Sequence, residues 1–295
     1  MNTRSEFGEY LAKELRKPLP FWRLLFSYGM TGIALIFTAL ALIPLLSILW
    51  EILGRGLPKL KPLVLVSLPA PAGLEGVANG FANGIIGTII MVAIAAVLSI
   101  PSGLMTGIYL AEFGKQSWMA NIVRFIAKIL TGVPSIVVGV FAYGVIVFTT
   151  KKFSAIAGGF ALSVIMLPII ALTTEEALKL IPTPLRLASA ALGGTRLQTT
   201  FRVVVAAALP GVTTGILLAV ARAAGETAPL IFTALFSQTW AEGLFSPTAS
   251  LSVLIYNYAN SPFPEQNELA WTASIVLLGL VLFISVSSRF LTRQR

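Results

Sequence analysis

Residues Leu24–Trp50, LLFSYGMTGIALIFTALALIPLLSILW, run for 27 positions without an acid or a base. An α-helix rises ~1.5 Å per residue and the hydrocarbon core of a bilayer is ~30 Å thick, so about 20 apolar residues cross it. The stretch is long enough to cross and longer than the ~7–15-residue apolar region of a signal peptide. Inside lipid every backbone N–H and C=O must be paired within the segment or in a closed barrel. The two-residue alternation of barrel strands is absent, so the stretch is helical. Five further runs follow the same logic: Gly84–Ala111, Ile129–Thr150, Phe153–Thr174, Pro210–Phe236 and Leu269–Ser288. Together the six occupy half of the 295 residues. The expected fold is an all-α membrane protein with six transmembrane helices.

Composition narrows the chemistry. Only 11% of residues are charged and 56% are hydrophobic; there is no Cys, His or Asp, and all 12 acids are Glu. That excludes thiol chemistry, Cys/His metal sites and every Ser-His-Asp or Cys-His nucleophile arrangement. The single Gly-Lys, Gly114-Lys115, is followed by Gln116, so there is no phosphate-binding loop for ATP. The net charge of +9 does not indicate nucleic acid, because such binding needs a solvated basic face.

The basic residues report topology instead. With the N-terminus inside, fifteen of the 21 Lys and Arg fall in segments 1–23, 112–128, 175–209 and 289–295. Five lie outside (Arg55, Lys59, Lys61, Lys151 and Lys152), and Arg222 lies within a span. Both termini are therefore expected in the cytoplasm. Thr3-x-x-Glu6 opens a surface helix over 3–17, read as an interfacial anchor within the cytoplasmic segment 1–23. The outer loop 51–83 is rich in Gly and Pro, with a short apolar re-entry at Leu63–Leu68. Arg124 and Lys128 begin the third span and are read as snorkelling to the interface. Pro44, Pro101, Pro134, Pro168 and Pro229 put one proline in each of the first five spans, as kinks or hinges. Gly132, Gly139 and Gly144 suggest close helix packing.

Two places carry function. In the inner connector 175–209, Thr183-Pro184 reads as an N-cap and first helical residue, and Gly193-Gly194 as a stop. The short helix between them, about 183–194, has Leu185, Ala188 and Leu192 on one stripe and Arg186, Arg196 and Arg202 around it. It must lie on the chain's own spans, the membrane surface or a soluble partner. In the fifth span, Arg222 and Glu226 are the only ionisable residues, four apart and so on one helix face. Facing lipid they would be costly, so they face the bundle interior or water. They form either a neutralising structural pair or a substrate or gate site. An Arg guanidinium suits a tetrahedral oxyanion, and a Glu beside it can accept a hydrogen bond from P–OH, which sulfate at neutral pH does not offer.

The string Arg186-Leu187-Ala188-Ser189-Ala190-Ala191-Leu192-Gly193, followed by Thr195-Arg196-x-Gln198-Thr199, resembles the cytoplasmic "EAA" loop of ABC importer permeases. Leu187 stands where that pattern has Glu, and Ala206 where it has Pro. Ala221-Arg222-Ala223-Ala224-Gly225-Glu226-Thr227-Ala228-Pro229-Leu230 resembles the signature of phosphate-specific ABC importer permeases of the PstA type. Gly132-Val133-Pro134-Ser135-Ile136-Val137-x-Gly139, Ile108-Tyr109-Leu110-x-Glu112 and Val253-Leu254-Ile255-Tyr256 agree with it.

The resemblance runs from about residue 74 to 290. It implies a type I importer permease fold: a first transmembrane helix at 24–50, a five-helix core over 84–288 and a cytoplasmic tail at 289–295. It implies a bacterial inner-membrane subunit, not itself an enzyme, that works by alternating access. The implied partners are a companion permease, an ATP-binding ATPase dimer and an external phosphate-binding protein. ATP and Mg would belong to the ATPase, with no cofactor or metal in this chain. The implied substrate path holds Arg222, Glu226, Thr227 and Ser135, and the ATPase-coupling set is Leu185, Arg186, Leu187, Ala188, Leu192, Gly193 and Arg196. The competing expectations are the same architecture for phosphonate, sulfate or molybdate, and an ion-driven secondary carrier. A carrier calls for inverted repeats and a relay of carboxylates.

Overall fold

The computed structural model describes residues 20–73, 77–115 and 117–293, with side chains to residue 286. The surface helix expected over 3–17 lies outside the described residues. Every regular element in them is helical. The contacts divide the chain between Glu51 and Ile52. Most of α1 (Phe21–Gly56) belongs to the first unit; it is a helix of 36 residues with Pro44 inside it.

The second unit contains the rest. Its elements are α2 (Pro62–Val66), α3 (Ala82–Phe113), α4 (Trp118–Gly132), α5 (Ser135–Thr150), α6 (Ala155–Lys179), α7 (Thr183–Ala191), α8 (Arg196–Gly225), α9 (Ala228–Thr233), α10 (Leu251–Ala259) and α11 (Pro264–Arg293). Among the described residues of the whole chain, five helices, α1 included, are long and apolar enough to cross a membrane, or six if α4 and α5 count as one bent span.

The centre of this unit is the pair α3 and α6, which run parallel. A methyl at Gly103 would meet Ile170 Cβ at 2.9 Å, and one at Gly107 would meet Thr174 Cβ at 2.6 Å. At the other end, Gly159 faces Ile94 Cβ at 2.6 Å. Small residues thus let the two backbones approach, as membrane packing favours when lipid is as apolar as leucine. α8 crosses the other way, with Gly211 at Ala177 and Gly215 at Thr173. Met91, Leu162, Met166, Ile170 and Ala219 are buried together where these helices meet, with Leu230 of α9 among them. A second cluster, with Phe81, Leu251, Leu254 and Tyr258, joins α10 to α11 near the start of α3. A third, with Ile108, Leu178, Val204 and Val212, closes the opposite end.

Two expected spans differ from the structure, each for a backbone reason. The stretch Ile129–Thr150 is not one helix: α4 and α5 meet at 106°. Pro134 cannot donate a hydrogen bond and disfavours a helical residue before it. Val133 accordingly takes φ −68°, ψ 132°, and Pro134 becomes the residue from which α5 starts. The stretch Pro210–Phe236 begins earlier, at Arg196, and ends at Gly225. Glu226 is extended (φ −71°, ψ 131°), and α9 restarts at Ala228 with Pro229 in its first turn. The expected small-residue packing holds at Gly139 but, among the described residues, not at Gly132 or Gly144, where none lies within 4 Å of an added methyl.

Candidate functional site

The two broken spans meet. A methyl on Gly139 of α5 would sit 2.7 Å from Pro229 Cα and 3.3 Å from the Phe232 ring on α9. Both short helices rise toward the same end of α6: the Phe141 ring packs near Phe160, Tyr143 near Phe153, and Ser154 N–H donates to Thr233 C=O. Ser135 lies four residues before Gly139 and hence on the same face. It therefore stands at the same end of the pair as Glu226 and Thr227. Backbone breaks within membrane-spanning segments are tolerated only where they are buried in protein or line a cavity.

Arg222 lies on the last turn of α8 and Glu226 just beyond it. Arg222 Nε approaches Glu226 Oε1 at 3.4 Å, a long contact, with the Arg side chain 47% exposed and the Glu 14%. Among the described residues, neither Nη group of Arg222 has a hydrogen-bond partner. The backbone around the break is held firmly. Glu226 C=O accepts from Ser252 Oγ at 2.8 Å, and Thr227 C=O accepts from Leu230 and Ile231. The carboxylate and guanidinium are thus carried on a fixed backbone while most of their hydrogen-bonding capacity remains open. Thr227 is half-buried; its hydroxyl and that of Ser135 make no hydrogen bond among the described residues.

The other site is the inner connector. α7 starts one residue earlier in its capping than the sequence suggested: Pro182 is the N-cap, with Thr183 and Pro184 in the first turn. Gly193 takes φ +81°, a conformation that costs glycine little, and lets Gly193 N–H and Gly194 N–H close on Ala190 C=O and Ser189 C=O. Leu185, Leu187, Ala188, Leu192 and Gly193 are all exposed, Leu187 at 65% and Leu192 at 90%. Arg186 turns the other way. Its Nη2 donates to Glu112 Oε1 at 2.7 Å and to Leu178 C=O at 3.0 Å, and its Nη1 donates to Ile181 C=O. Arg196 Nη2 donates to Glu112 C=O, and its guanidinium lies 4.8 Å from the centroid of the Phe113 ring. These two arginines, expected beside an ATPase, hold the connector to the end of α3.

Arg124 also differs from its reading. It does not snorkel: Nε donates to Glu175 at 2.6 Å, Nη1 to Asn121 at 2.9 Å and Nη2 to Leu110 C=O at 2.8 Å. Glu175, only 2% exposed, also takes Lys179 at 2.9 Å. Sequence reading missed Glu175 and Glu112 as partners. The i,i+4 spacing of Glu175 and Lys179 was the available signal; the Glu112 contacts join residues 74 and 84 positions apart and left none. On the opposite end, Lys59 pairs with Glu268 at 2.8 Å beside a cleft of about 370 Å³ lined also by Lys61, Asn79 and Glu265.

Apolar crossing helices, broken spans that meet, and a bared short helix at one end define a membrane permease. Residues 103–294 match the model of the family described as "Binding-protein-dependent transport system inner membrane component", and the chain belongs to that family. It is 40% identical to the phosphate transport system permease protein PstA of Yersinia pestis, over 85% of this chain and 84% of that one. It is 38% identical to the protein of the same name from Haemophilus influenzae, over 93% and 96%. The probable phosphate transport system permease protein PstA of Methanocaldococcus jannaschii is 35% identical over 86% and 89%. Among solved structures, an inward-facing form of the MetNI methionine ABC transporter superposes with a TM-score of 0.58 over 72% of this chain and 94% of that one, at 23% identity. An amino acid ABC transporter gives 0.52, at 15% identity over 72% and 93%. These share the fold.

Proposed function

We propose that this chain is one of two permease subunits in an ATP-driven importer of inorganic phosphate, with Arg222 as the phosphate contact. The relatives named for phosphate transport support the substrate class. The observation that carries the site is the unequal commitment of the arginines. Arg124 and Arg186 each use Nε, Nη1 and Nη2 on protein acceptors. Among the described residues Arg222 uses only Nε, at 3.4 Å. Its two Nη groups form a planar fork free for two oxygens of a tetrahedral anion.

Phosphate reaching the breaks displaces the long contact to Glu226, whose carboxylate stays close enough to accept a hydrogen bond from P–OH. Ser135 and Thr227 offer hydroxyls at the same end of the α5–α9 pair. Alternating access follows from movement at the two breaks, driven through α7, whose exposed Leu187 and Leu192 seat in an ATPase subunit that holds ATP and Mg. An external phosphate-binding protein meets the outer loops. The excess of Lys and Arg in the segments assigned to the cytoplasm supports both termini inside.

The test is Arg222→Ala in the complete importer. Phosphate uptake should fall to background while the complex purifies at unchanged stoichiometry. If another oxyanion, and not phosphate, stimulates ATP hydrolysis by the wild-type complex, the substrate assignment is wrong.

A further inference from the structure

Glu112 occupies a position that the proposed import cycle does not yet use. It lies in the π-helical end of α3, Tyr109–Phe113, and both faces of that short segment are engaged. On one side the Glu112 carboxylate takes Arg186 Nε and Nη2 from α7, at 3.2 and 2.7 Å. The Glu112 carbonyl takes Arg196 from the start of α8, and the Phe113 ring lies under that guanidinium. On the other side, Leu110 C=O takes Arg124 Nη2 from α4 at 2.8 Å, and Arg124 passes on to the buried Glu175 of α6.

Leu187, next to Arg186 on the exposed side of α7, contributes no charge. Because the Glu112–Arg186 side chains are only 9% and 16% exposed, their attraction is little screened by solvent. A π-turn is itself a less regular, adjustable backbone than an α-turn.

We propose that Glu112 is the positioning residue that transmits motion of α7 to α3, and through Arg124 to α4 and α6. The inference rests on the reading of α7 as the element driven by an ATPase. A shift of α7 pulls Arg186 and Arg196 together on one five-residue segment. That segment moves the end of α3 and, through Leu110, the α4 side of the broken span. α4 leads directly to the break at Val133–Pro134 and so to Ser135.

The experiment uses the whole importer in vesicles, with phosphate uptake and ATP hydrolysis measured together. Glu112→Gln keeps the size and an acceptor but removes the charge. It should leave basal ATP hydrolysis within twofold and the complex intact, while phosphate-stimulated hydrolysis disappears and phosphate moved per ATP falls tenfold or more. The exchange Glu112→Arg with Arg186→Glu restores the pair in reverse and should recover a large part of that ratio, whereas Glu112→Arg alone should not.

A wild-type ratio in Glu112→Gln overturns the inference. So does a loss of assembly that the exchange fails to repair, since that marks a merely structural contact. If the wild-type complex itself neither takes up phosphate nor responds to it, the underlying reading falls and the inference with it.

Discussion

Arg222 and Arg124 both stand next to a glutamate, and the surroundings give them opposite roles. Glu175 is held by Arg124 at 2.6 Å and Lys179 at 2.9 Å and is almost fully buried. Removing Arg124 leaves this buried carboxylate with Lys179 alone, so the loss is a part of the about 3–5 kcal/mol that breaking a buried pair costs. Arg124→Ala should therefore lower the thermal unfolding temperature of the purified complex markedly. Arg124→Ala combined with Glu175→Leu should recover most of the loss. The half-exposed Arg222 contributes at most about 1 kcal/mol to stability, so its loss should show in transport and not in melting. In the proposed site, Glu226 is the residue that selects the anion. Glu226→Gln removes the negative charge that repels a fully ionised oxyanion, and the preference for phosphate over sulfate in uptake competition should narrow roughly tenfold, the equivalent of one charged hydrogen bond of about 1.5 kcal/mol. An unchanged preference would remove Glu226 from the selectivity account.

At the level of elements, hydropathy located the crossing regions but not the places where the helices stop. An apolar run does not say whether its backbone is continuous, so Ile129–Thr150 and Pro210–Phe236 each read as one helix. The local signals were nonetheless present. Gly-Val-Pro-Ser over 132–135 and Gly-Glu-Thr-Ala-Pro over 225–229 each set a flexible residue before a proline. α4 also starts eleven residues before the charge-free run, at Trp118, since Arg and Lys are good helix formers and a charge limits hydropathy, not the helix; Arg124 within it pairs with Glu175. That partner lies 51 residues away, beyond what spacing in the sequence can show. The α5–α9 contact gives its own prediction. A methyl at Gly139 would press on the Pro229 backbone at 2.7 Å, which cannot turn aside as a side chain can. Overpacking of this kind costs about 1–3 kcal/mol. Gly139→Ala should reduce phosphate uptake severalfold or more, while Gly144→Ala, with open space around it, should leave uptake near wild type.

For the molecule as a whole, the sparse charges divide into three uses. In the proposed topology most orient the chain; a few fasten α7 and the start of α8 to the end of α3, and Arg222 stays available at the breaks. The Arg222–Glu226 pair and the exposed stripe of α7 were legible in the sequence because an ion in a span and a short apolar helix in a basic connector are both anomalies. The fastening of Arg186 and Arg196 to Glu112 was not, since it joins segments far apart in the chain. The orientation has a direct test, because the chain contains no cysteine of its own. A single cysteine at Lys115→Cys should react with an impermeant thiol reagent only from the cytoplasmic side, and one at Lys151→Cys only from outside; the reverse pattern would invert the topology.

The central claim is that Arg222 carries phosphate through a path this chain forms with its companion. Its most direct measurement is phosphate uptake into vesicles holding the complete importer, wild type against Arg222→Ala, with subunit stoichiometry and unfolding temperature recorded on the same preparations. The account predicts an assembled, equally stable complex with uptake at background. Uptake at the wild-type rate in that variant would contradict it.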